Sequence, residues 1–492
     1  MKTRTTTSVL LALAGAAAAQ TCDPADLFGP PDVLAAGDSV GSLAVGDLDG
    51  DGNADIVATN FDENTIGVYL GRGDGTFEAR VVYSAGRGPS SLTLVDLDDD
   101  GDLDVVIASE REWTAGVFRN NGDGTLAPER RYQVGSLPFG VDAGDVDGDG
   151  DTDIVVSNVS GDSITVLRNI GGALLEDAGS FFAGNGARSV KLRDVDGDGD
   201  LDALVLARFD DLLSVVLNNG DGRFETIRSF STGDSPAWLE TGDIDGDGLL
   251  DVVVSNSEDT TVGVLRGLGD GFFGPHQAFA VPSRGFDLGL LDLADIDSDG
   301  DLDIAVSSPG AGSVYLLAND GSGFFDDGTG VAPGSRPFGI RLNDVDGDGD
   351  ADLLVPFIAA DVIGVYLNTC QAPPVVVTGP TNVVVDAGQR VELAVEAGGR
   401  GPFAYQWLRN GVAIDDAGPF SGAEASTLVI DPASGAEADV YSVVISNDAG
   451  AVESSQAFVT VRTPCRVDFD GDGTLTIFDF LAFSNAFDIG CP

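Results

Sequence analysis

The stretch Asp47-Leu48-Asp49-Gly50-Asp51-Gly52-Asn53-Ala54-Asp55 puts carboxylates at positions 1, 3, 5 and 9 of a nine-residue loop, with glycine at position 6. Hard oxygen donors at these spacings, with a sharp turn at position 6, are the chemistry of a calcium loop, and position 7 is counted with the ligands. Aspartates crowded in this way repel one another unless a cation lies among them. An isolated Asp/Gly-rich turn can imitate the pattern, but the loop recurs. Asp47, Asp49, Asp51, Asn53 and Asp55 are followed by Asp96, Asp98, Asp100, Asp102 and Asp104, then by Asp145, Asp147, Asp149, Asp151 and Asp153. The fourth copy is Asp194, Asp196, Asp198, Asp200 and Asp202, and the fifth is Asp243, Asp245, Asp247, Leu249 and Asp251. Asp295, Asp297, Asp299, Asp301 and Asp303, then Asp344, Asp346, Asp348, Asp350 and Asp352, complete the set.

Successive loops start 49, 49, 49, 49, 52 and 49 residues apart, so one structural unit is used seven times. The third copy shows the elements that must hold a loop. Phe139 to Gly144 reads as a strand entering it, Ile154 to Ser157 as a second strand, Ile164 to Leu167 as a third, and Phe181 with Phe182 lies on a fourth. Hairpin signals Asp74-Gly75, Asp123-Gly124, Asp221-Gly222 and Asp270-Gly271 fall between third and fourth strands. Four antiparallel strands in a repeat of this length predict a propeller blade, and seven of them a closed ring.

Loop, strand order and spacing resemble the FG-GAP or VCBS repeat propeller, the fold of the integrin alpha-chain head, over about 28–368. Phe139-Gly140 and Phe338-Gly339 retain the dipeptide that names the family. The resemblance implies calcium loops between first and second strands on one face, and ligands on the opposite face. Connections assigned to that second face carry Phe61, Trp113, Arg188, Phe209, Trp238, Arg336 and Phe338. Aromatic and arginine side chains there suit a protein or polysaccharide ligand, although Phe338 and Trp238 could equally plug the centre of the ring.

Register predicts how the ring closes. Leu126 to Asp145 aligns without a gap on Phe28 to Asp47, so the segment around Asp32 to Ala36 is a fourth strand preceding its own blade. The seventh repeat stops after a third strand at Val365 to Leu367, and the N-terminal strand should complete it. Cys22 and Cys370 then fall where other repeats turn, and their pairing would replace the missing turn.

Beyond Pro374 the pattern changes. Val391, Leu393 and Val395 alternate, and Tyr405-Gln406-Trp407, Asn410-Gly411 and Asp439-Val440-Tyr441 follow. This resembles an immunoglobulin-type sandwich with Trp407 at its centre, Tyr441 as the tyrosine corner, and Val395 and Val443 where that family carries its cysteines. The last residues hold EF-hand spacing at Asp468, Asp470, Asp472, Thr474, Thr476 and Asp479, followed by helix-like apolar positions, and resemble one half of a dockerin attachment module. Cys465 and Cys491 bracket it and are expected to pair.

The expectation is an all-β chain: signal peptide 1–19, seven-bladed propeller 22–370, immunoglobulin-like domain 375–462, and a small helical calcium-loop module 465–492. Lys2 and Arg4, the apolar stretch from Val9 to Ala19, and small residues at Ala17 and Ala19 read as a secretory signal. The mature protein is therefore expected outside the cell, soluble or surface-attached, and monomeric. The formal net charge of -56 argues against nucleic acid and anionic membranes, and eight calcium ions would offset only part of it. Gly37-Asp38-Ser39 resembles a hydrolase nucleophile block, but the one histidine, His276, lacks the matching motif. Arg72-Gly73-Asp74 reads as a hairpin turn. No nucleotide loop is present, so an enzyme would depend on paired carboxylates, as in a lyase or glycosidase. Calcium-dependent recognition or adhesion is the leading expectation, and a carbohydrate-active enzyme the alternative.

Overall fold

The computed structural model describes residues 27–283, 287–369, 374–398, 401–447 and 450–462. The signal segment, all four cysteines and the C-terminal calcium loop lie outside these residues. Contacts divide the chain into a unit spanning 21–370 and a second unit that contains everything after it.

The larger unit is built from four-stranded antiparallel sheets, none closed on itself. In the first, β2 (Val40–Gly46), β3 (Asp55–Asn60), β4 (Thr65–Tyr69) and β5 (Val81–Ser84) lie in sequence order. The acidic loop joins β2 to β3. Five further sheets repeat this order, and the seventh contains Arg341–Asn343, Asp352–Phe357, Val362–Tyr366 and β1 (Asp32–Ala35). The N-terminal strand supplies that edge: Asp32 to Ala35 pairs antiparallel with Val365 to Val362. Phe28 bridges Asn368, and the Thr369 amide donates to the Leu27 carbonyl at 2.7 Å.

The strand sequences explain this arrangement. Each second strand is buried along its whole length and apolar through its centre, as in Asp153–Asn158 and Asp202–Ala207. Such a strand needs cover on both faces, which comes from the sheets before and after it. The edge strand Arg130–Gln133 is largely exposed. First strands pack against one another in sequence, and the first strand of the seventh sheet packs against β2, so the sheets form a cycle. Side chains from neighbouring sheets form shared cores, for example Val57, Ile66 and Val68 with Leu92, Val105 and Ile107.

A buried asparagine fastens most neighbours. Asn120, Asn169, Asn218, Asn319 and Asn368 each stand 24 residues after a loop start, where the third strand ends. Their Nδ2 groups donate at 2.7–2.8 Å to the position-2 carbonyl of the preceding sheet's loop: Leu48, Leu97, Val146, Ile244 and Ile296. A second bond reaches the position-8 carbonyl of their own loop at 3.1–3.2 Å. Gly71 and Gly267 occupy the equivalent places in the first and fifth repeats. There a hairpin amide makes the link instead, Gly75 to Val345 at 3.1 Å and Gly271 to Val195 at 2.7 Å.

In the second unit, Ala404–Arg409 and Val440–Ser446 pair within one sheet, and Val391–Ala394 with Thr427–Ile430 form part of another. Trp407, Tyr441, Val395 and Val443 share its core. The Tyr441 hydroxyl donates to the Glu437 carbonyl at 2.9 Å, the bond expected of a tyrosine corner.

The asparagine bonds give a graded expectation. Among the described residues the Leu97 carbonyl has only Asn169 as a donor, whereas Leu48 also receives the Gly124 amide at 3.1 Å. Asn169→Ala should therefore cost about 1–3 kcal/mol of unfolding free energy and Asn120→Ala less, measured by denaturant unfolding. Equal losses would mean that these carbonyls do not decide the packing of neighbouring sheets.

Candidate metal loops and the opposite face

Each acidic loop is shaped by its own carboxylates. The position-1 aspartate accepts the amide of the position-6 glycine in every copy, at 2.9–3.1 Å. Those glycines have φ between +84° and +100°, a conformation costly for any residue with a Cβ. The position-5 carboxylate takes the position-7 amide at 2.8–3.1 Å. In four loops the position-7 side chain lies over the hairpin instead: a Cβ added at Gly73 would meet Asn53, and one at Gly122, Gly220 or Gly321 would meet Asp102, Asp200 or Asp301. Leu249, which has no polar side chain, occupies position 7 of the fifth loop and keeps the same amide bond to position 5.

Position 9 joins the loop to the sheet. Asp55, Asp104, Asp153, Asp202, Asp251, Asp303 and Asp352 are buried. One oxygen of each accepts the position-2 amide at 2.8–3.4 Å. The other accepts an amide at the end of the third strand at 2.6–2.8 Å. This second acceptor bond anchors the same residue that carries the asparagine in five repeats.

In four loops position 3 is only half satisfied. Asp98 pairs with Arg119, Asp147 with Arg168 at 2.5 Å, and Asp245 with Arg266 at 2.6 Å. The Oδ1 atoms of Asp98, Asp147, Asp196 and Asp245 are buried without a hydrogen-bond partner. The Asp98 and Asp147 side chains are only 5% and 9% exposed. In at least five loops three carboxylates converge to within 4.8 Å, including Asp47, Asp49 and Asp55 in the first and Asp145, Asp147 and Asp153 in the third. An orphaned, buried carboxylate oxygen facing two others fits a hard cation and is costly without one.

Burial pushes Asp49, Asp98, Asp147 and Asp196 upward and Asp297 to about 6. It likewise pushes Asp104, Asp153 and Asp202 to about 6, and Asp303 and Asp352 to about 7, against the lowering effect of the bonded amides.

The face opposite the loops is formed by connections from second to third strands and from one sheet to the next. Phe61, Arg188 and Phe338 meet there around a cavity of about 380 Å³, with Glu110, Leu137 and Phe139. Phe209 borders an adjoining cavity that also reaches Arg188. Burial and neighbouring Arg208 weaken the hold of Arg188 on its proton, and Glu110 is raised by burial. Trp113 is half exposed and lines neither cavity, and the same is true of the exposed Arg336. Trp238 is a correction to the set: it is 4% exposed, packs in the core with Phe139 and Leu290, and donates its Nε1 proton to Glu240 at 3.0 Å. Ser39 lines the inner cavity, but its hydroxyl bonds Asp62 at 2.6 Å, and His276 lies near Asn256. Arg72-Gly73-Asp74 occupies the hairpin turn, with the Arg72 amide bonded to the Thr76 carbonyl.

Sequence reasoning missed a run of five charged residues on successive first strands. The residue three positions before each loop is, in order, Ala44, Thr93, Asp142, Lys191, Glu240, Asp292 and Arg341, all on first strands or equivalent positions of the cycle. Lys191 pairs with Glu240 at 2.8 Å, and the Arg193 and Asp142 side chains approach to 3.8 Å. Burial raises Asp142 and Asp292, opposed by Lys191 with Arg193 for the first and by Arg341 with Lys191 for the second. Aligning the repeats at their loops exposes this charged series, and the asparagine series too.

Raised carboxylates fix the sign of a pH effect. The folded, metal-free loops hold protons that the unfolded chain, near its ordinary aspartate value of about 4, has released. Stability of metal-stripped protein should therefore be greatest near pH 4 and fall as pH rises through about 6–7, followed by thermal melts in metal-free buffer. A melting temperature that climbs across that interval would contradict the burial assigned to these groups.

The FG-GAP-like repeat family matches over residues 47–107, 96–156, 145–205, 194–254, 243–306 and 295–355, and an immunoglobulin domain over 373–447. No curated protein matches the chain. Among solved structures it is similar to the complex of titin M10 with obscurin-like 1 Ig, at 28% identity and TM-score 0.18, covering 19% of this chain and 96% of that one. Titin domain M7 is similar at 28% identity and TM-score 0.17, covering 18% and 93%. Repeats of this kind with an immunoglobulin domain fit an adhesion or recognition protein. With six overlapping matches running from Asp47 to Val355, the chain belongs to the FG-GAP-like repeat family.

Proposed function

We propose that the chain is a secreted, calcium-binding recognition or adhesion protein: a seven-bladed propeller, an immunoglobulin-like spacer and a C-terminal attachment module. The observation that carries the calcium reading is the buried, unpartnered Oδ1 at position 3 in four separate loops, each set among other carboxylates. Positions 1, 3, 5 and 9 would hold the ion by carboxylate and position 7 by its carbonyl, while calcium would supply the positive charge that lets these groups sit together. Its role is structural. The loops lie at one end of the strands and the aromatic cavities at the other, so metal binding and ligand binding are separate tasks.

The recognition surface is the end bearing Phe61, Arg188, Phe209 and Phe338. The signal segment would export the chain to an oxidising medium, where Cys22 with Cys370 and Cys465 with Cys491 could pair. Asp468, Asp470, Asp472, Thr474, Thr476 and Asp479 would hold one further calcium in a dockerin-like half module facing a scaffold or cell-surface partner. The protein works as a monomer in this reading, without nucleic acid or a membrane span.

The test is retention on an array of glycans and cell-surface extracts, with calcium and after its removal, followed by assay of the retained material for cleavage. Calcium-dependent retention of intact ligand is expected. Cleavage that disappears when a carboxylate outside the loops is replaced would overturn this reading in favour of a carbohydrate-active enzyme.

A further inference from the structure

Two cavities at the end opposite the acidic loops share Val159 and Arg188 and so form one groove. The inner one, about 380 Å³, is walled chiefly by Phe61, Leu137, Phe139, Phe338 and Ile358. The outer one, about 480 Å³, is bordered by Arg208, Phe209, Asp211, Asp234 and Glu258. Arg188 stands at their junction. Its guanidinium lies 3.9 Å from the centre of the Phe139 ring, and its Nε donates to the Ala237 carbonyl at 3.2 Å. Its Nη groups make no hydrogen bond to the described residues, leaving donors for an incoming acceptor.

We infer that this groove binds an extended peptide segment, an apolar side chain entering the inner cavity and a nearby basic side chain lying against the outer acidic wall. The inference deepens the recognition reading above and rests on it, choosing protein over polysaccharide. A sugar buried in the inner cavity would need partners for several hydroxyls, and each one left unpaired is costly. The wall offers few: the Ser39 hydroxyl donates to Asp62 and the Ser90 hydroxyl to the Ala108 carbonyl, which leaves Glu110 and Arg188 as the charged partners among mostly apolar walls. An aromatic or long aliphatic side chain makes no such demand and gains from the same walls. Between the cavities, a peptide carbonyl meets the free Arg188 donors. Outside, Asp211, Asp234 and Glu258 outnumber Arg188 and Arg208, and the chain's charge of -56 draws cationic ligands from a distance. Exposed Phe209 adds a surface on which the aliphatic stem of a lysine or arginine packs.

The full chain, in calcium, is panned against a displayed random decapeptide library. Enrichment of Phe, Tyr, Leu or Met within two residues of Lys or Arg is expected. Val159→Trp, which fills the junction, should weaken retention of a selected synthetic peptide about tenfold or more. Asp234→Lys combined with Glu258→Lys, two surface changes that leave the core intact, should move selection towards acidic residues beside the same apolar anchor. Melting curves check folding, and the charge reversal carries the test if Val159→Trp unfolds. Absence of enrichment, or selected peptides indifferent to the charge reversal, overturns the inference. A protein that retains glycans but enriches no peptide keeps the recognition reading and loses this one, whereas silence in both assays removes both.

Discussion

Crowded carboxylates are the constraint on which the larger unit depends. Every repeat concentrates aspartates at positions 1, 3, 5 and 9 of one short loop, and their mutual repulsion has to be offset before two strands can pair. Part of the offset comes from the backbone. Position 1 is held by the position-6 glycine amide, position 5 by the position-7 amide, and position 9 by two amides at once. Arginines relieve one oxygen of position 3 in the second, third and fifth loops. What remains is a buried oxygen with no proton donor, and that residue of unmet charge makes a cation the natural complement of the fold.

The same position-9 carboxylate links the loop to the ring. It fixes the amide of the residue that ends the third strand, and in five repeats the side chain of that residue reaches back to the previous loop. Order in one loop is thereby coupled to the seat of the next sheet. The N-terminal strand closes the cycle by pairing with Val362–Tyr366, so the first and last strands of the unit hold each other through main-chain hydrogen bonds. Because the loops occupy one end of the strands, the other end is free to vary, and there the repeats diverge into Phe61, Glu110, Val159 and Phe209.

Much of this was legible in the sequence because it is periodic. Loop starts, the four strands of the third repeat, the completing strand near Asp32 and the core roles of Trp407 and Tyr441 all follow from local pattern and register. The bonds between sheets were not legible in the same way. Asn169 contacts Leu97 across 72 residues, and its meaning emerges only when repeats are stacked and the carbonyl it serves is seen. Trp238 was left open between a face residue and a plug of the ring's centre; its neighbours Phe139 and Leu290 draw it inward, and Glu240 accepts its indole N–H. Position 7 was counted with the ligands, yet in four loops its side chain packs on a hairpin glycine, a contact set by the third dimension alone.

Calcium stoichiometry tests the account most directly. Equilibrium dialysis of the full mature chain against labelled calcium, at an ionic strength that suppresses diffuse binding to the acidic surface, should saturate at about eight ions, seven in the repeats and one at the C-terminus. Saturation at one ion or none, with the protein folded, would contradict it: the orphaned oxygens would then be met in some other way, and the repeated loops would be turns rather than metal sites.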